Sequence, residues 1–179
     1  IYILPQYKFT ENKILQKIVT EPNESVFIEI ESPQKHCKKK ILIGELYRKP
    51  SGRPEIYIEQ IENLLKTIKN KYKNIYIGTD QNINLLDTTK NIGDRLLCKL
   101  YENDFITGIE IPTRCTYTTD TLIDNFYMNI ENCDKYECVV IKDTSSDHYP
   151  CILINYDINR ILENEIYVKS KKLNDQKYI

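Results

Sequence analysis

Tryptophan and alanine are absent from the 179 residues, methionine occurs once, and histidine only twice, at 36 and 148. The cysteines at 37, 98, 115, 133, 138 and 151 form no C-x-x-C pair. A zinc module, which needs about four closely spaced N or S ligands, is therefore excluded. No apolar run approaches the roughly 20 residues that cross a bilayer, which excludes a membrane-spanning helix. Neither charge is in excess: 25 Lys and Arg stand against 26 Asp and Glu, leaving a net −1. Binding to nucleic acid through bulk positive charge is thereby excluded. The opening residues lack the charged, apolar and small-residue order of a signal peptide. An intracellular chain with reduced, structural thiols is expected. Residue 1 is Ile rather than Met, and the expectation is a processed or incomplete chain.

What is present fits a folded chain of one domain, with 41% hydrophobic and 28% charged residues. Ile, Asn, Lys and Tyr are abundant, which implies an AT-rich coding sequence. Val26, Ile28 and Ile30 alternate with other residues as on a half-buried strand, and 41–47 reads as a second strand. Between them, 32–40 carries Pro33 and a lysine-rich tip, as a solvated turn would. Pro54 and Glu55 suit a helix N-terminus. With Ile58, Ile61, Leu65 and Ile68 at spacings of three and four, they predict an amphipathic helix over 54–72. A short strand over 74–78, a polar loop over 79–91 and a helix over 92–103 follow. Candidate strands then run over 105–109, 114–118, 122–128, 137–142 and 150–156, and a charged tail or linker over 157–179. Helices between strands, then a run of strands, predict a mixed α/β sandwich over 1–156.

Three short constellations lie at or beyond strand ends, where loops present polar groups outside a rigid sheet. In Gly78-Thr79-Asp80-Gln81-Asn82, a carboxylate and a carboxamide two residues apart face the same side of an extended chain. Such a pair can orient a water and hydrogen-bond a phosphoryl oxygen; the same residues also form ordinary Asx-turns. In Thr121-Leu122-Ile123-Asp124-Asn125, Asp124 interrupts an apolar strand. It either faces solvent or must be paired, since unpaired burial costs several kcal/mol, as an order of magnitude. In Ser145-Ser146-Asp147-His148-Tyr149-Pro150, a single histidine precedes another apolar strand. Lone histidines are most often structural, but a carboxylate such as Asp124 can fix the tautomer of His148 and raise its basicity. His36 sits among lysines and is assigned no role.

Taken together and in this order, D-x-N, I-D-N and S-D-H-x-P resemble the endonuclease/exonuclease/phosphatase superfamily, which contains deoxyribonuclease I and the apurinic endonucleases. Within it, the chain is most similar to the endonuclease domain of non-LTR (LINE-type) retrotransposons. The residues behind the narrower resemblance are Glu24–Ile30, Tyr47–Ser51, Asp80–Leu86, Pro112–Thr116 and Leu122–Asn125, within a span of about 24–154.

The resemblance implies a four-layered α/β sandwich and a metal-dependent phosphodiesterase, here a DNA-nicking enzyme using Mg²⁺ or Mn²⁺. It implies that Asp80 orients or deprotonates the attacking water and that Asn82 holds the scissile phosphate and that water. His148 would polarise the phosphate with Asp124 as its partner, and Asp147 would organise the metal. Tyr47 would contact phosphate, while Thr116 and Thr121 would line the site. DNA is the implied partner, the nucleus the place of action on DNA, and a reverse transcriptase domain the implied neighbour in a longer polypeptide. Two departures stand out. Gln81 replaces the Phe usual in the family's D-F-N. The family's metal-binding Glu, with an Asn before it, belongs upstream of the strand at Glu24, and only 23 residues precede Glu24. The expectation is the C-terminal two-thirds of such a domain, with weakened metal binding. Another phosphoesterase of the superfamily and an inactive remnant are the alternatives.

Overall fold

A computed structural model describes residues 1–31, 40–143 and 145–156. The turn expected over 32–40, apart from Lys40, and the tail expected over 157–179 lie outside the described residues. The chain begins with β1 (Phe9–Glu11) and the one-turn helix α1 (Lys13–Gln16), two elements too short to carry a periodic signal in sequence. Next come β2 (Glu24–Glu31), β3 (Lys40–Tyr47), α2 (Pro54–Ile68), β4 (Asn74–Asp80) and α3 (Asn91–Glu102). The remaining strands are β5 (Phe105–Thr107), β6 (Arg114–Cys115), β7 (Asp120–Thr121), β8 (Asp124–Asn129), β9 (Tyr136–Val140) and β10 (Cys151–Asn155).

Six strands pair in the order β1-β2-β3-β4-β8-β5, with β3 and β4 parallel and every other neighbour antiparallel. The parallel pair needs a crossover, and α2 supplies it. Tyr57, Ile58, Ile61, Leu64, Leu65 and Ile68 form the buried stripe of α2. They pack with Leu96 and Leu100 of α3 on the sheet face made by Phe27, Leu42, Leu46, Ile75, Ile77 and Tyr127. Burying each such side chain contributes about 1.5–3 kcal/mol, so this face carries most of the stabilisation. The helix stops at Ile68 rather than at 72, because the Ile68 carbonyl accepts from both Lys71 N and Tyr72 N at 3.0 and 3.1 Å. Tyr72 then turns its hydroxyl inward to Glu29 and Asn12.

On the opposite face the β9–β10 hairpin packs against Ile41, Tyr76 and Met128 through Tyr136, Cys138 and Leu153. Beside it the face opens into a cleft of about 670 Å³ whose wall includes Ile30, Ile43, Glu45 and Phe126. The described residues thus supply a helical layer, one large sheet and two two-stranded sheets, β9–β10 and β6–β7. None of their helices is long and apolar enough to cross a membrane.

The expected strand over 122–128 is divided. Leu122 and Ile123 lie between β7 and β8, and their carbonyls accept from Leu85 N and Gln81 N instead of from a neighbouring strand. The expected strand over 114–118 shortens to Arg114–Cys115, because Thr116 begins the turn of the β6–β7 hairpin. The first deviation ties the segment before β8 to the loop after β4, where polar groups collect.

Gly44 is required by packing. It lies opposite Phe27, and a Cβ there would come within 2.4 Å of the buried Phe27 ring. Gly44→Ala should therefore destabilise the fold by about 1–3 kcal/mol, the usual cost of overpacking. Urea unfolding should show a lower midpoint with an unchanged slope; an unchanged midpoint would contradict this packing.

Candidate active site

Asp80 is the last residue of β4 and sits in register with Tyr47 on one side and Asp124 on the other. Residues paired across strands share a face, so Tyr47, Asp80 and Asp124 all project to the side opposite the helices. The adjacent Thr79 points the other way, into the core, where its hydroxyl lies 2.9 Å from that of Tyr57. Alternation along β4 thus separates a packing residue from a site residue at neighbouring positions.

His148 reaches this edge through β6. Cys115 N donates to Asp147 O at 3.0 Å and Tyr149 N to Thr113 O at 2.7 Å, which lays 147–149 alongside Arg114. The imidazole then places Nδ1 at 3.0 and 3.3 Å from the two oxygens of Asp124. An Nδ1–H donating to that carboxylate leaves Nε2 available at the surface of the site. Ligand atoms of Asp80, Asp124 and His148 lie within 4.8 Å of one another. These three residues, from two strands and a loop distant in sequence, are the ones the structure brings together.

The other expected residues are placed around them. Asn82 turns out of β4 with a φ of 48°, a left-handed conformation that Asn tolerates, and its Nδ2 donates to Arg48 O at 2.8 Å. Tyr47 lies at the exposed end of β3. Asp147 is not in the three-residue group: its Oδ2 accepts from Arg114 Nε at 2.8 Å, and this ion pair lowers its carboxyl below the usual range. Thr116 Oγ1 is 2.9 Å from Thr119 Oγ1 in the hairpin turn, and the Thr121 hydroxyl donates to Arg114 O at 3.4 Å. Both threonines therefore brace the hairpin that carries Arg114.

Residues to which sequence reasoning gave no site role complete the surroundings. Thr113 is fully buried, and its Oγ1 accepts from Ile123 N and Asp124 N, fastening the start of β8 to β6. Gln81 is also fully buried; its carboxamide accepts from the Tyr127 hydroxyl and donates to Ile83 O at 3.2 Å. A polar anchor thus occupies the position between Asp80 and Asn82. Arg48 is 5% exposed and bonds to the loop containing Asn82. Glu45, two residues before Tyr47, shares a cleft of about 230 Å³ with Gly78, Asp80, Asp124 and Tyr149. Its Oε2 lies 2.5 Å from where a Gly78 Cβ would be, so the glycine leaves room for that carboxylate. A carboxylate interrupting an apolar strand was the signal that singled out Asp124, and Glu45 in Ile-Leu-Ile-Gly-Glu-Leu-Tyr carries the same signal.

The carboxylates are crowded. Burial pushes the Asp80 carboxyl above its ordinary pKa and the nearby Asp124 adds to this, against the opposing pull of His148, Arg114 and the Asn82 amide. Glu45 is raised in the same way, chiefly by burial, with Asp124 and Asp80 reinforcing it. Asp80 Oδ1 is shielded from water and has no hydrogen-bond partner among the described residues. A folded-state pKa above the unfolded value means that the native protein holds this proton more tightly, so the group lowers stability as pH rises through that interval. Asp80→Asn, which cannot ionise, should melt a few degrees above the unsubstituted chain at pH 7 in chelator, as followed by circular dichroism. The difference should shrink as the pH is lowered toward the ordinary carboxylate range. A lower melting temperature at every pH would contradict the crowding.

No family model matches the sequence, and no curated protein matches it. Solved structures do. The endonuclease domain of TRAS1, a telomere-specific non-LTR retrotransposon, is 21% identical, with 84% of this chain and 69% of that chain covered and a TM-score of 0.66. The 3′ phosphatase NExo from Neisseria, bound to a product DNA hairpin, is 10% identical over 84% of this chain and 70% of that one, with a TM-score of 0.59. An endonuclease/exonuclease/phosphatase family protein from Bacteroides thetaiotaomicron is 13% identical over 84% and 64% of the two chains, at a TM-score of 0.52. The chain spans about two thirds of the length of these structures. A large sheet backed by helices, with polar groups gathered at the ends of β4 and β8, gives this chain the fold of the endonuclease/exonuclease/phosphatase superfamily.

Proposed function

We propose that this chain is a metal-dependent phosphodiesterase and that it nicks DNA as the endonuclease part of a non-LTR retrotransposon. The observation that carries the reading is the Asp124–His148 contact at 3.0 Å, held beside Asp80 at one sheet edge. An imidazole fixed by a carboxylate next to a second, partly shielded carboxylate suits phosphoester hydrolysis, which needs a proton acceptor for water and a polarising group for phosphate.

The donor set also fits a divalent cation. Asp80 Oδ1 is a shielded carboxylate oxygen lacking a donor among the described residues, and oxygen-rich sites favour Mg²⁺ or Mn²⁺. Asp80 and Asp124 would hold the ion, with Glu45 as the neighbouring carboxylate and Asp147 able to join by releasing Arg114. When bound, the ion neutralises charge on phosphate oxygens. The protein's own groups do the rest. Asp124 keeps the His148 ring in place with Nε2 toward the phosphate, and Asp80 orients the attacking water and accepts its proton. Asn82 presents its carboxamide at the same edge, and the Tyr47 hydroxyl donates to a phosphate oxygen from the rim. The Thr116 and Thr121 hairpin borders the substrate.

DNA as substrate is supported by the likeness to a retrotransposon endonuclease domain and to a structure containing DNA. In this reading a reverse transcriptase lies in the same full-length polypeptide and the chain acts on DNA in the nucleus. Incubating the chain with supercoiled plasmid and Mg²⁺ should convert it to the nicked form, and chelator should stop the conversion. His148→Ala and Asp124→Asn should each slow nicking by about 100-fold or more, in line with the loss of a positioned acid–base group, while circular dichroism shows an intact fold. Nicking that survives His148→Ala unchanged, or that the unsubstituted chain does not perform, would overturn the proposal.

A further inference from the structure

A guanidinium buried behind the site makes contacts that packing alone does not require. Arg48 follows the last residue of β3 and is 5% exposed. Its hydrogen bonds among the described residues all run to backbone carbonyls. Nε donates to Gln81 O at 2.6 Å and Nη2 to Asn82 O at 2.6 Å. On its other edge, Nη1 donates to Gly52 O at 2.7 Å and to Lys49 O at 3.2 Å. The backbone of the same residue closes the arrangement: Arg48 N donates to Asp80 O at 2.9 Å, and Arg48 O accepts from Asn82 Nδ2 at 2.8 Å.

We infer that Arg48 is a positioning residue that sets the geometry of Asp80 and Asn82. The Asp80–Asn82 turn leaves the sheet at the point where strand pairing ends, and Asn82 stands in a left-handed conformation there. A carbonyl turned inward at such a bend needs a donor, because a buried unmade hydrogen bond costs about 1–3 kcal/mol. Two successive carbonyls, of Gln81 and Asn82, point at one planar group, and only a fork with separated N–H donors serves both while a third N–H holds the 49–52 turn. The ammonium of a lysine concentrates its donors on one atom and cannot span these positions. The guanidinium thereby fixes the direction in which the chain leaves Asp80, and with it the position of the Asn82 carboxamide. Gln81 N, donating to Ile123 O at 2.9 Å, and Leu85 N, donating to Leu122 O at 3.0 Å, report whether this loop is closed.

The catalytic half of this inference rests on the phosphodiesterase reading; the structural half does not. Arg48→Lys and Arg48→Met, made in the full chain, separate the two. Amide hydrogen exchange should accelerate about tenfold or more at Gln81 and Leu85 while the amides of β4 keep their protection. Plasmid nicking should lose about 10- to 100-fold in kcat with KM changed less than threefold, the pattern of a displaced reacting group rather than of lost binding. Lysine, despite its charge, should not restore the rate. Unchanged exchange at Gln81 and Leu85 would overturn the inference, as would local opening with nicking unaffected. Loss of the whole fold in both variants would overturn it too, since Arg48 would then hold the core rather than the loop. If the unsubstituted chain nicks nothing, the phosphodiesterase reading fails, and the exchange data still decide whether Arg48 holds the loop.

Discussion

Two carboxylates face one another across a pair of antiparallel strands, and the rest of the site is arranged around that pairing. The register of β4 on β8 sets Asp80 opposite Asp124 with their side chains on one face. A slip of β8 by one residue would set Asn125 opposite Asp80 and turn Asp124 toward the helices. The register is held by its other face, where Ile75, Ile77 and Tyr127 are fully buried against α2 and α3. Hydrophobic burial on one side of the sheet therefore fixes an electrostatically unfavourable arrangement on the other. The raised Asp80 and Glu45 carboxyls and the unpartnered Asp80 Oδ1 are the signs of that tension.

Short-range hydrogen bonds convert this edge into a defined constellation. Asn125, 2% exposed, accepts from Gly108 N and Ile109 N through Oδ1 and donates to Ile109 O, so the residue beside Asp124 anchors the segment that follows β5. Asn84 accepts from Leu122 N, and Thr113 from Ile123 N and Asp124 N. Asn84 and Thr113 thus serve backbone amides where β7 gives way to β8. The polar residues of the motifs thus fall into two groups. Asp80, Asp124 and His148 face the open side, whereas Gln81, Thr113 and Asn125 are buried supports.

How much of this was legible in the sequence depends on the length of each signal. The stripe of Ile58, Ile61, Leu65 and Ile68 located α2 well, although a carbonyl shared by Lys71 and Tyr72 ended it early. The strands expected over 26–30 and 41–47 appear as β2 and β3, although Phe27, on the face opposite Val26, Ile28 and Ile30, is the most deeply buried residue of β2. The order of D-x-N, I-D-N and S-D-H pointed to the three residues that meet in space. β1 and α1 were missed because three or four residues show no period. The division of 122–128 was missed because Leu122 and Ile123 are apolar in either setting, and only long-range bonds from Gln81 and Leu85 take them out of the strand. Arg48 was unreadable for a different reason. In Tyr-Arg-Lys-Pro-Ser a cation beside a turn looks solvated, and its burial follows from carbonyls more than 30 residues away. The ion pair of Asp147 with Arg114 was hidden likewise by their separation of 33 positions in sequence.

We propose that strand register makes the edge formed by Asp80 and Asp124 a cation site. Diffraction from crystals of the full chain soaked in Mn²⁺, recorded at the manganese absorption edge, tests it directly. The account predicts one dominant anomalous peak in coordination contact with an Asp80 carboxylate oxygen, which disappears in Asp80→Asn crystals treated identically. A peak only at other surface carboxylates, or an Asp80 edge that stays free of manganese at saturating concentration, would contradict it.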